Sequence, residues 1–232
     1  MRPGVRDGRG WAVPDRSGGR LAGHVYEGIK ERLLEGRYAL GEALQVEALK
    51  NDFGVSKQPV MDALRRLSGD GLVEIIPQVG CRVVTYDEQE IADFFAMFGG
   101  FEGTVAAAAA TRRTDEQLAE LAHVSARIGE LRMAPDPAVR SHDYRILNRQ
   151  YHAVIHAMAH SRIMAETTRR MWDLSDFLIN AASARPPENA LDGRHEDHER
   201  IRTALERRDP AAARREMEAH IVGTIGIIDA GA

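Results

Sequence analysis

Apolar residues recur at helical spacing in three segments between residues 21 and 71. The first segment has apolar side chains at positions 25, 29, 33 and 34 and ends at Gly36, a residue type that often terminates helices. The second, QVEALKNDF, ends at Gly54, and the third, KQPVMDALRRLSG, follows Ser56 as its N-cap. The pattern therefore predicts three short helices.

Two runs rich in β-branched residues come next. LVEIIP and CRVVTY are separated by Gln78, Val79 and Gly80, a pattern that is typical of a β-hairpin. Three short helices followed by a hairpin predict a winged helix-turn-helix domain over residues 21–86.

Beyond Asp87 the sequence shows no strand pattern. Helical periodicity or helix-favouring composition covers residues 88–110, 114–132, 141–160, 161–182, 192–208 and 210–228, with prolines in several of the breaks. We therefore expect a mainly α protein, with an antiparallel all-α bundle of six or seven helices over residues 87–232. Residues 1–20 are rich in glycine and poor in apolar side chains, which predicts a flexible tail.

Composition and charge narrow the class of protein. The sequence has no uninterrupted run of about 18 apolar residues, the length that a helix needs to span a bilayer. The N-terminal segment also lacks the apolar stretch of a secretory signal, so we expect a cytoplasmic protein without membrane partners. A single cysteine, Cys81, excludes an intramolecular disulfide and a cysteine-based zinc cluster. The net charge of −4 means that a nucleic-acid binder would have to use a local basic face.

The third predicted helix carries side chains suited to DNA. Helix-turn-helix domains place the N-terminal residues of this helix against base edges. Lys57 suits guanine or phosphate, Gln58 suits adenine, and Gly80 lets the hairpin backbone approach DNA closely. A domain that contacts only proteins is the alternative. The predicted DNA-binding set is Ser56, Lys57, Gln58, Met61, Arg65, Arg66, Gln78 and Gly80.

A stripe of nitrogen and oxygen donors, Asn148, His152, His156 and His160, recurs every four residues in NRQYHAVIHAMAH. Each step rotates by ~40° on a helix, so Asn148 and His152 nearly overlie, whereas His160 lies ~120° from Asn148. The whole stripe cannot converge on one ion. Asn148 and His152 could chelate an ion together, with His156 at the edge of the site or turned toward a neighbouring helix and His160 near the helix end. The alternative is a polar ridge on an ordinary helix, whose histidines are surface or core residues.

The N-terminal third resembles the winged helix of the GntR family of bacterial transcription regulators. GVSKQPVMDALRRLSGDGLV and the wing PQVG carry the resemblance, which covers residues 22–86. Two positions depart from the family pattern. Lys57 and Met61 replace arginines, so we expect a base preference different from the family's usual operator.

The remainder is similar to the FadR C-terminal domain, abbreviated FCD. That resemblance implies a divalent metal, with zinc expected and nickel or manganese as alternatives, and a small carboxylate effector that completes its coordination. Because Asn148 is neutral where the family often has aspartate, the zinc site would keep a formal charge of about +2 and favour an anion. The implied metal ligands are Asn148, His152, His198 and His220.

The effector site departs from the pattern of many members. Many members have an arginine four residues before a glutamate in the first helix of this domain, and that arginine binds the effector's carboxylate. When the sequence is aligned on Glu102, Phe98 occupies the arginine's position. Among the other arginines that could take this role is Arg112. The residues assigned to effector binding are Arg145, Arg149 and His195.

The expected function is that of a DNA-binding transcription regulator and not an enzyme. A homodimer would bind near-palindromic, double-stranded operator DNA, and a small organic acid at the metal site would control its affinity. One alternative is a bundle that only dimerises. The other is a metal-dependent hydrolase, for which Glu196 or Glu199 would have to serve as general base. HEDHE is not the zinc-protease motif, because its histidines are three residues apart rather than four.

Overall fold

A computed structural model describes residues 16–133, 136–182, 190–226 and 228. The first part holds α1 (Arg16–Leu34), α2 (Val46–Phe53), α3 (Lys57–Gly69), β1 (Val73–Ile76) and β2 (Gly80–Val83). The second holds α4 (Glu88–Arg112), α5 (Asp115–Glu130), α6 (Pro137–Met158), α7 (Arg162–Ala182), α8 (Ala190–Glu206) and α9 (Pro210–Val222). These elements confirm a mainly α fold with a winged helix-turn-helix and a helical bundle.

The winged helix is built around α3. Its apolar face, formed by Val60, Ala63, Leu64 and Leu67, is fully buried, and α1 packs closely against it. β1 and β2 pair antiparallel, with Val73 opposite Val83. The Leu44 N–H donates to the Cys81 carbonyl at 2.8 Å, so the segment before α2 borders the hairpin.

Two local expectations were wrong in detail. α1 begins at Arg16, so residues 16–20 of the predicted tail are helical, while residues 1–15 lie outside the described part of the chain. Extending an existing helix costs much less than nucleating one, which is why the glycines at 18 and 19 do not stop it. Ser56 does occupy the N-cap of α3 with extended backbone, but its hydroxyl makes no capping hydrogen bond.

α4 is the central helix of the bundle, and α9 lies closest to it. The approach depends on two glycines of α4. A Cβ on Gly103 would lie 3.0 Å from the Arg214 carbonyl oxygen, and one on Gly99 would lie 3.2 Å from that of Glu218. Side chains at these positions would push the helices apart, so the glycines fix the position of α9.

α4 is also the one helix in the described ranges that is long and apolar enough to span a membrane. Half of its most apolar 18-residue window is buried within the bundle, as expected of a core helix. Its outer face remains apolar: Met97 is 61% exposed, and Phe94 and Phe101 are half-buried.

Arginines tie the ends of the bundle helices together. Arg112 donates to the Ala159 carbonyl at 2.7 Å, and Arg113 donates to the carbonyls of Leu205 and Glu206, each at 2.8 Å. Carbonyls at helix C-termini have no partner within their own helix. Arg112 is therefore committed to a structural bond at the end of α6.

Candidate metal centre

Three histidines from three helices converge in the core of the bundle. His152 of α6, His198 of α8 and His220 of α9 each offer a ring nitrogen, and these atoms all lie within 4.8 Å of one another. None of the three side chains is more than 4% exposed. We call this group the histidine cluster.

The cluster contains buried polar atoms that the protein does not satisfy. Both ring nitrogens of His152, both of His198 and Oδ1 of Asn148 have no hydrogen-bond partner. These are five of the seven such side-chain atoms in the described residues. Buried polar atoms are nearly always paired, so this concentration indicates a missing partner. Imidazole nitrogens with an amide oxygen one helical turn away suit a divalent metal ion.

Asp197 orients the third histidine. The Nδ1 atom of His220 lies 3.1 Å from Oδ2 of Asp197, and a neutral ring that donates this proton keeps a lone pair on Nε2. Arg194 lies 3.4 Å from the same nitrogen, but a guanidinium only donates, so we assign the Nδ1 proton to the bond with Asp197. Arg194 instead donates to the His220 carbonyl.

Burial keeps the imidazoles in the form that binds metals. It lowers the pKa of His152 and His198 well below the ordinary value, and neighbouring imidazoles lower it further. Burial also lowers the pKa of His220 to about 4, although its bond with Asp197 acts in the opposite direction. All three rings are therefore neutral near pH 7, as metal ligation requires.

Aromatic side chains enclose the histidines. The Tyr151 ring stacks on His198 with centroids 4.2 Å apart, and its hydroxyl donates to the His198 carbonyl at 2.7 Å. The Trp172 ring centroid lies 4.2 Å from that of His152. These contacts hold the rings in place and exclude solvent.

The rest of the stripe lies elsewhere. His156 Nε2 is 2.9 Å from Oε2 of Glu102, a fully buried carboxylate that also accepts from Thr168 and from Trp172 Nε1. His160 is exposed, just beyond the end of α6, with a φ of 47°. The structure thus separates the front half of the stripe from the back half.

The arginines assigned to effector binding are engaged by protein carboxylates. Arg149 contacts Asp176 at 2.6 Å and Asp173 at 3.1 Å, and Arg145 lies 3.5 Å from Glu35. These carboxylate partners lie on α7 and at the end of α1, and spacing along α6 does not reveal them. His195 lies beside Gly129 of α5, outside the cluster, with a buried Nδ1 that has no partner.

Most of the residues expected to bind DNA are exposed. Ser56, Lys57, Gln58, Arg65, Arg66, Gln78 and Gly80 are exposed, whereas Met61 is half-buried against the core. Asp62, which sequence reasoning missed, accepts from Gln58 Nε2 at 2.9 Å and from Arg65 at 2.6 Å. Arg66 lies over the Tyr26 ring, 3.9 Å from its centroid. Val79, at the wing tip, is 79% exposed.

Comparisons with known proteins agree with this architecture. Residues 21–83 match the family model described as "Bacterial regulatory proteins, gntR family", and residues 93–223 match the FCD domain model. The HTH-type transcriptional repressor GlaR of Escherichia coli K12 is 24% identical over 206 residues, which cover 88% of this chain and 93% of the repressor. The Exu regulon transcriptional regulator of the same strain is 26% identical over 226 residues, covering 88% and 83%.

Solved structures show the same fold. Escherichia coli McbR/YncC has a TM-score of 0.76 at 20% identity and covers 90% of this chain and 97% of its own. A putative GntR transcriptional regulator from Rhodococcus sp. RHA1 has a TM-score of 0.70 at 16% identity, covering 94% and 99%.

Acidification should destabilise the metal-free protein through the histidine cluster. Unfolded histidines bind protons below pH ~6.5, whereas burial lowers the folded pKa of His220 to about 4. The unfolded state therefore binds more protons between these values, and His220 alone should remove about 2 kcal/mol of stability between pH 7 and 5. Urea denaturation in the presence of a chelator measures this loss.

His220→Gln should show a smaller loss over the same interval. The exposed His123→Gln serves as the matched control and should behave like the parent. If His220→Gln kept the full pH dependence of the parent, burial of this ring would not be its source.

Proposed function

The chain belongs to the GntR family of bacterial regulatory proteins and carries an FCD domain, and from this premise we propose that a divalent metal and a small anionic effector control its affinity for operator DNA. It is a transcription regulator, as are the relatives it matches. The observation that carries the proposal is the set of unpaired buried nitrogens in the histidine cluster, together with the Asn148 oxygen.

The donor set favours zinc, with nickel or manganese as alternatives. Three neutral imidazoles and one amide oxygen suit a borderline divalent cation. His152, His198, His220 and Asn148 would hold it, and it would supply a positive charge that none of them neutralises. Burial alone would raise the pKa of Asp197, but its bond with His220 and the nearby cationic groups lower it overall, so this carboxylate stays ionised outside the ligand set.

That excess charge is why we propose a carboxylate as the effector. Arg145 and Arg149 are held by protein carboxylates, so the metal is the cation we expect the effector to meet. The hydrolase alternative has less support: Glu199 accepts from Ser125 at 2.6 Å and pairs with Arg202 at 2.8 Å, which leaves it poorly placed as a general base. A bundle that only dimerises is the remaining alternative.

Zinc titration by calorimetry tests the site. The parent should bind about one ion per chain, and His198→Ala should lose this binding because one of three imidazoles is removed. Asp197→Asn should weaken binding by about 10–100-fold, because the partner that orients His220 is lost. His123→Ala, at an exposed position on α5, is the control and should bind zinc as the parent does.

A thermal-shift series on the zinc-loaded parent extends the same test to the effector. Small organic acids should raise Tm more than their neutral amides, and this difference should vanish in His198→Ala. A parent that binds none of zinc, nickel and manganese would favour the bundle that only dimerises. Zinc binding with equal responses to acids and amides would reject the anionic effector.

We propose that α3 reads operator DNA through Lys57 and Gln58, with Ser56, Met61, Arg65 and Arg66 beside them and Gln78 and Gly80 on the wing. Asp62 holds one amide hydrogen of Gln58, which leaves the Gln58 oxygen and its second hydrogen for an adenine edge. Lys57 is exposed and makes no hydrogen bond or ion pair with the described residues, which suits a phosphate or guanine contact.

Binding-site selection from a randomised duplex library separates these two roles. Gln58→Ala should relax base preference at one position per half-site, a loss of about 1–3 kcal/mol of discrimination. Lys57→Ala should weaken binding to all selected duplexes and, if its contact is with phosphate, reduce the slope of log K against log salt by about one. An unchanged selected sequence for Gln58→Ala would contradict the proposed reading of adenine.

We also propose a homodimer formed through the outer face of α4. Met97, Phe94 and Phe101 leave apolar surface there, and a second copy would cover it. Met97→Glu should shift the protein toward monomer in sedimentation equilibrium, because it buries a charge at the contact. Ile163→Glu makes the same change at an 81% exposed position on α7 and should leave assembly unchanged. Equal behaviour of the two variants would reject this interface.

A further inference from the structure

One face of α7 is polar where it lies along the winged helix. Arg170, Asp173 and Asn180 are spaced three and seven residues apart, so they share a face of this helix. Arg170 donates to the Gly69 carbonyl at the end of α3, and Asn180 Nδ2 donates to the Leu34 carbonyl at the end of α1 at 2.7 Å. Asp173 pairs with Lys30 of α1. α7 therefore contacts both helices that orient DNA recognition.

Asp173 also faces the bundle. Arg149 of α6 contacts it at 3.1 Å and contacts Asp176, one turn further along α7, at 2.6 Å. The side chains of Lys30 and Asp173 are each 14% exposed and that of Asp176 is 8% exposed, whereas that of Arg149 is 30% exposed. The Lys30–Asp173 pair is shielded on both sides, and such a pair is sensitive to the loss or displacement of one partner.

Arg149 directly follows Asn148, a proposed metal ligand. A change in the position of α6 at Asn148 therefore moves Arg149 as well. Asp173 is shared between Arg149 of the bundle and Lys30 of the winged helix, so displacement of one cation alters its bond with the other.

α1 transmits such a change to α3, the helix that carries Lys57 and Gln58. The Tyr26 hydroxyl of α1 donates to Asp70 Oδ2 at 2.7 Å, just beyond α3, and Arg66 of α3 lies over the Tyr26 ring. At the far end of α1 the contact with α7 is tight, because a Cβ on Gly36 would lie 2.7 Å from the Asn180 carbonyl oxygen. α1 is thus held at its C-terminal end and linked to Asp173 by Lys30, one turn before that end.

We propose that Arg149, Asp173, Asp176 and Lys30 form an ion-pair relay that couples occupancy of the histidine cluster to the orientation of α1 and α3. This inference rests on the proposed function, since it requires metal binding at the cluster. It assigns to Arg149 the role of transmitting the state of the site, in place of the effector contact expected from sequence.

The test measures how zinc changes DNA binding. The full chain is titrated with a fluorescent duplex, recovered by selection from a randomised library, with and without saturating Zn²⁺. In the parent we expect the two affinities to differ by a factor between about 5 and 150. Asp173→Asn and Lys30→Gln should bring that factor to within about twofold of one, while the zinc affinity measured by calorimetry stays at the parent's value.

Glu166→Gln is the matched control, because Glu166 forms an exposed ion pair with Arg169 on the same helix. This variant should show the same ratio of DNA affinities with and without Zn²⁺ as the parent. Lys30→Gln leaves the pairs of Arg149 intact, so agreement between the two relay variants, with unchanged Tm, excludes a general loss of folding. Relay variants that bind zinc and retain the parent's factor would overturn the relay alone.

Two other outcomes have distinct meanings. A parent that binds zinc with no change in DNA affinity would overturn the relay and leave the metal site standing. A parent that binds none of zinc, nickel and manganese would overturn the proposed function and, with it, the relay.

Discussion

The junction of α6, α8 and α9 depends on polar atoms that the protein leaves without partners. Each buried polar group of this kind costs about 1–3 kcal/mol when nothing replaces its bonds to water. The aromatic rings of Tyr151 and Trp172 keep solvent away, and Gly99 and Gly103 hold α9 close enough to bring His220 into the group. The unpaired atoms therefore lower the stability of the bundle, and a bound cation would offset that loss.

The contacts inside the bundle differ in kind from those between the bundle and the winged helix. Outside the histidine cluster and the buried Glu102, the bundle interior is mostly apolar, and α4 and α9 approach each other closely at Gly99 and Gly103. The border with the winged helix is instead made of ion pairs and side-chain bonds to helix-end carbonyls. Packed apolar surfaces resist small displacements, whereas exchangeable polar contacts accept them. This division leaves the bundle rigid and the border adjustable.

The parts of this structure that depend on local pattern could be predicted from the sequence. Helical periodicity predicted six bundle helices with bounds within four residues of the observed ones, except that the last helix ends at Val222 and not at residue 228, and β-branched runs predicted the hairpin. The histidine cluster was expected from family resemblance, since spacing alone cannot bring residues 152, 198 and 220 together. Partners set by tertiary packing were missed: Asp197 for His220, Asp62 for Gln58, and the carboxylates that hold Arg145 and Arg149.

The near-complete burial of the three imidazoles has a kinetic consequence. With none more than 4% exposed, an ion can enter or leave only when helices or aromatic side chains move aside. Such openings are slow and infrequent compared with the motions of exposed side chains. An ion held there would exchange slowly relative to changes in metabolite concentration. The metal would then act as a resident part of the receptor, and the faster-exchanging small molecule would carry the signal.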